Sequence, residues 1–69
     1  MKAKITKTVI EEGEEVYTDV LYVFSSSKEA PKGLVHIITK CRYRIVSKSK
    51  NGFTCEKGFS QLVFKIEKQ

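Results

Sequence analysis

Residues 35–46 read Val-His-Ile-Ile-Thr-Lys-Cys-Arg-Tyr-Arg-Ile-Val, and the period assigned to them decides the fold. Val35, Ile37, Thr39, Cys41, Tyr43 and Ile45 share one parity; His36, Ile38, Lys40, Arg42, Arg44 and Val46 share the other. Successive side chains of a strand point to opposite faces. The alternation therefore predicts a strand with one core face and one cationic face, on which Lys40, Arg42 and Arg44 form a line of positive charge.

Working toward the C-terminus, Asn51-Gly52 is a strong two-residue turn signal, because both central positions of a type I′ turn need positive φ. Folding the chain there sets Cys41 opposite Leu62, Thr39 opposite Phe64 and Ile37 opposite Ile66, so two apolar parities meet. The reverse face then sets Phe59 opposite Arg44, Gln61 opposite Arg42 and Val63 opposite Lys40, with Lys65 opposite Ile38. Gly58 reads as a bulge or bend in this hairpin. A helix capped by Ser60, with Phe59, Leu62, Val63 and Ile66 on one side, is the competing reading of the C-terminus. The Val, Phe and Ile content favours strand.

Working toward the N-terminus, Glu11-Glu12-Gly13-Glu14-Glu15 separates two β-rich runs, 2–10 and 16–24. A turn at Glu12-Gly13 sets Val9 opposite Val16, Ile5 opposite Val20 and Ala3 opposite Tyr22 on one face. Residues 25–33 read as a linker or a single helical turn. The expected class is all-β: a small antiparallel sheet of two long hairpins, curled into a partial barrel or two-layer sandwich. Exposed strand edges on so small a sheet make a homodimer through edge pairing an expectation as well.

Ser26-Ser27-Lys28-Glu29-Ala30-Pro31-Lys32-Gly33-Leu34 resembles the Ser-Glu-Lys-Asp-Ala-Pro-Lys-Glu-Leu stretch of small archaeal chromatin proteins, which leads there into a C-terminal helix behind an SH3-like barrel. Here it lies mid-chain, before residues read as a strand. No kinship is drawn from it and no residue role is carried over.

With 69 residues, the chain is read as one domain, 1–69, with room for a packed core but hardly for a deep cleft as well. Its 41% hydrophobic and 30% charged residues suit a folded globule. The net charge of +5 is unevenly spread. Residues 1–27 hold three Lys and five acids (−2), residues 28–50 seven cations and one acid (+6), and residues 51–69 three Lys and two acids (+1). Such segregation favours an anionic partner. No apolar run approaches the roughly 18 residues of a membrane span, and the N-terminus lacks the apolar core of a secretory signal. A cytoplasmic protein is expected.

The cationic set, Lys40, Arg42, Arg44, Lys57 and Lys65, suits phosphate contacts, Arg adding bidentate hydrogen bonds. Phe59 is placed to stack on a base. The expected function is a non-enzymatic module that binds nucleic-acid phosphates. The alternative is a small protein-binding inhibitor or adaptor, of phage or mobile-element type, acting on an acidic host protein through Tyr17, Leu21 and Val23 or a sheet edge. Catalysis is not expected: His36 has no sequence partner, Ser25, Ser26 and Ser27 lack a nucleophile motif, and no Gly-rich phosphate loop is present. No cofactor or metal is expected either. In the Asn51-Gly52 register Cys41 and Cys55 lie roughly 23 Å apart, against a limit near 7 Å for a disulfide, so both are expected to be free thiols.

Overall fold

The computed structural model describes residues 2–68. Its elements run β1 (Ala3–Glu11), β2 (Glu14–Phe24), α1 (Ala30–Lys40), β3 (Arg44–Ser49), β4 (Gly52–Lys57) and β5 (Ser60–Lys68). The five strands form one antiparallel sheet in the order β2-β1-β5-β4-β3. The protein is thus mostly β, as expected, but the sheet stays open and α1 supplies the second layer. Among the described residues, no helix is long and apolar enough to cross a membrane.

The decisive stretch corrects the sequence reading. Residues 35–40 are helical and strand begins only at Arg44. Leu34, Ile37, Ile38 and Cys41 also recur at helical spacing, and they are the residues that pack on the sheet, while Val35, His36, Thr39 and Lys40 stay exposed. Pro31 sits in the first turn, where its missing N–H is harmless. A strand here would have left Ile38 among cations; the helix packs both Ile37 and Ile38, half-buried, against the core.

Two tight turns remove the strand partner that the alternation required. The chain reverses after Ser49 and again after Lys57, where Gly58 takes φ of 61°. Gly58 is therefore a hairpin turn, not a bulge, and β4 slots between β3 and β5. Leu62 faces Cys55, and Phe64 faces Phe53. Ile66 faces Ile5. None faces the 37–41 segment. The C-terminal helix alternative is likewise replaced by β5.

The Glu12-Gly13 turn forms as expected, with positive φ at both residues. Its register starts as predicted at Ile10↔Glu15 but slips twice, so that Val9 faces Tyr17, Ile5 faces Tyr22 and Ala3 faces Phe24. Val16 and Leu21 are the extra residues. Each is a bulge that shifts the parity of the residues after it by one, and the two together restore the expected faces beyond Leu21.

The core lies between α1 and the sheet: Ile5, Val9, Leu34, Phe53, Cys55, Leu62 and Phe64. The Phe53 and Phe64 rings stack at 4.7 Å and 13°. Gly52 lets β4 approach β5 closely, since a Cβ there would collide with the Phe64 carbonyl oxygen. On the helix-free face Thr8 and Thr18 share a 2.9 Å hydrogen bond. Thr6 is buried there, and its hydroxyl has no hydrogen-bond partner among the described residues.

Two substitutions test this packing by urea unfolding. Thr6→Val removes a buried unpaired hydroxyl at similar volume and should raise stability by about 1 kcal/mol. Gly52→Ala forces β4 away from β5 and should lower it by about 1–3 kcal/mol.

Candidate functional site

A groove of about 700 Å³ opens on the helix-bearing face, between α1 and the β1–β2 side of the sheet. Its construction follows from local structure. Lys40 ends α1, and Arg42 lies in the short loop to β3. Lys57 ends β4, beside the turn at Gly58. Lys7 shares the helix-facing side of β1 with Ile5 and Val9, opposite Phe64 and Asp19. These four cations line the groove together with His36, and its one carboxylate is Glu11.

Three tyrosines complete it. Tyr17 and Tyr22 come from β2, facing Val9 and Ile5, and Tyr43 precedes β3. They are 50%, 49% and 42% exposed. The Lys57 ammonium sits 5.6 Å from the Tyr43 ring centroid, a cation–π contact that holds both at the rim. None of the four groove cations forms an ion pair among the described residues; the two pairs found join Lys4 and Lys65 to Glu67 on the other face.

The structure therefore splits the expected site. Lys40, Arg42 and Lys57 converge, joined by Tyr17 and Leu21 from the set read as a protein-binding patch. Arg44 instead faces Glu56 on the helix-free side, and Lys65 is held 3.5 Å from Glu67. Val23 points to the helix-free face opposite Lys4. Phe59 stands fully exposed at the β4–β5 turn, beside the acidic Glu11–Glu15 turn.

Sequence reasoning missed Lys7, Tyr22 and Tyr43. Lys7 carried a usable signal: a lysine on the same parity as Ala3, Ile5 and Val9 marks a stretch of the apolar face that nothing covers.

The cysteines correct another expectation. Both are free, but they are close rather than far apart. The Cys55 thiol lies near enough to Cys41 for its ionisation to feel that thiol, and the Cys41 thiol donates to the Tyr43 carbonyl at 3.6 Å. Cys41 thus braces the loop that carries Arg42 and lies against β4. Burial, then the hydrogen bond and charge of Cys41, push the Cys55 thiol up to about 11.

Set against known protein families, curated proteins and solved structures, the chain matches none.

The raised thiol sets a pH dependence. Below its ordinary value of 9.0 the thiol is neutral folded or unfolded. Between 9.0 and about 11 the unfolded chain loses the proton while the folded chain keeps it. Stability therefore falls as pH rises through this window, by about 1.4 kcal/mol per unit. Unfolding free energies of the native protein and Cys55→Ala, compared below pH 9 and near pH 11, should converge by about 2–3 kcal/mol.

Proposed function

We propose that this protein binds single-stranded nucleic acid, without catalysis, along the groove between α1 and β2. The observation that carries the reading is the convergence of Lys7, Lys40, Arg42 and Lys57 on three half-exposed tyrosines, with one carboxylate among them. Phosphates would lie against the cations, Arg42 offering the bidentate contact that Lys does not. Tyr17, Tyr22 and Tyr43 offer ring faces on which unpaired bases stack, each such stack being worth about 1–3 kcal/mol. A duplex hides its base faces, so this combination favours a single strand. The sheet line of Lys40, Arg42 and Arg44 is no part of the reading, since helix and loop separate those residues. We place the protein in the cytoplasm, where thiols such as Cys41 and Cys55 stay reduced.

The test is fluorescence anisotropy with labelled single-stranded and duplex oligonucleotides. The single strand should bind more tightly. If four phosphates are neutralised, its affinity should fall with salt at a log–log slope of about −3. Lys40→Glu with Arg42→Glu should reduce affinity at least tenfold and leave the melting temperature unchanged, because both side chains are exposed. Binding that ignores salt and those substitutions would overturn the reading. A protein retained from lysate after nuclease treatment, with no oligonucleotide bound, would favour the inhibitor or adaptor instead.

A further inference from the structure

β2 is one edge of the sheet, and every residue from Glu14 to Val23 is exposed. Six large apolar side chains stand exposed on this strand: Val16, Tyr17, Val20, Leu21, Tyr22 and Val23. Edges are normally blunted by shortness, charge (lysine above all), proline or bulges. The opposite edge, β3, follows that rule, with six residues including Lys48. β2 has eleven residues and no Lys, Arg or Pro. It has two bulges and three acids, but its C-terminal half is largely apolar.

From this edge we infer that two copies of the chain pair β2 to β2 about a twofold axis. The sheets then join into one of ten strands, and the two grooves become a single trough.

The bulge at Leu21 permits a register centred beside it, the one that pairs the apolar half of the strand with itself. Before it, Tyr17 and Asp19 face the helix side, and Thr18 and Val20 the other; after it, Tyr22 and Phe24 face the helix side, and Val23 the other. Residues opposite one another in an antiparallel pair must share a face. Pairing about a centre between Val20 and Leu21 satisfies this: Tyr17 meets Phe24, Thr18 meets Val23 and Asp19 meets Tyr22 of the second copy. Moving the register by one residue sets helix-side residues against residues of the other face. In the selected register the Asp19 carboxylate faces a tyrosine hydroxyl. Glu14 and Glu15 lie beyond the paired segment at opposite ends, so no acid faces acid. The edge is self-complementary in charge as well as shape.

The contact involves about eight residues a side, fewer than the roughly 20–30 of a standard interface. A dimer with micromolar dissociation is the expectation. The consequence for binding rests on the nucleic-acid reading above. In each copy α1 packs over β1 and β5, so the two helix axes lie four strand spacings apart, about 19 Å. Subtracting one helix diameter leaves roughly 8 Å between them. A single strand fits lengthwise in that space, with tyrosines of both copies beneath it and Lys40 and Arg42 of both along its walls.

Sedimentation velocity over rising micromolar concentration tests the pairing. The native chain should move from monomer to dimer. Val20→Glu with Val23→Glu, two exposed sites outside the groove, should stay monomeric with an unchanged melting temperature. Thr18→Cys with Val23→Cys should cross-link into a covalent dimer under glutathione disulfide, whereas Thr18→Cys alone should form no disulfide between the two copies. A native chain that stays monomeric throughout, a glutamate variant that still dimerises, or cross-linking by Thr18→Cys alone overturns the inference. Lys40→Glu with Arg42→Glu separates the two readings: it should weaken oligonucleotide binding at least tenfold and leave the dimer intact. A native dimer that binds no oligonucleotide refutes the nucleic-acid reading alone.

Discussion

One helix of eleven residues must cover a five-stranded sheet, and it is too narrow to do so. The outer strands of such a sheet lie about 19 Å apart, whereas a helix with its side chains spans about 10–12 Å. α1 settles where the apolar side chains are densest, over β1 and β5, with Leu34 fully in the core. A strip on the β2 side is left without a roof. The groove is that strip, and its floor carries side chains that tolerate water: Lys7, Tyr17 and Tyr22. Site and fold thus share one cause, a sheet wider than the single helix that packs on it.

That constraint also governs the charge. The cations of residues 28–50 emerge from the ends of α1 and β3 rather than from one strand. Lys40 and Arg42 reach the groove because the helix ends beside it, and Arg44 does not because strand pairing turns it to the helix-free face, opposite Glu56. The Cys41 thiol, beside buried Cys55, donates to the Tyr43 carbonyl and closes the loop between them. A buried neutral thiol suits this role, since burying a charge there would be far costlier than burying the hydrogen-bonded neutral form.

Much of the fold was legible. The acidic Glu12-Gly13 reversal, the strand character of the N-terminal and C-terminal runs, and the antiparallel class all follow from turn chemistry and β-branched content. The failure at 35–40 has a definite source. Ile37 and Cys41 satisfy both a period of two and a period near 3.6, so they cannot discriminate. Leu34 and Ile38 do discriminate, because only a helix puts them with Ile37 on one side. Ala30 and Pro31 in the first turn pointed the same way, and residues 26–34 resembled a stretch that precedes a helix. Gly58 was the other deciding residue. Reading it as a bend within one strand merged β4 and β5, and that merger manufactured the partner the false strand needed. Of the site, Lys40, Arg42 and Lys57 were legible as cations, but their meeting depends on a crossover that no local pattern encodes.

The bulges at Val16 and Leu21 show how a register error can leave a face assignment nearly intact. A slip of one residue flips every later side chain. Two slips restore the parity, which is why Tyr22 stays on the helix-bearing face although its partner is Ile5 rather than Ala3. Between them, Val16 and Leu21 are free of the ladder's alternation, and both are apolar and exposed. Bulges themselves twist an edge away from further pairing; here both bulged residues are apolar, so that between Val16 and Phe24 Asp19 is the one charged residue of the rim.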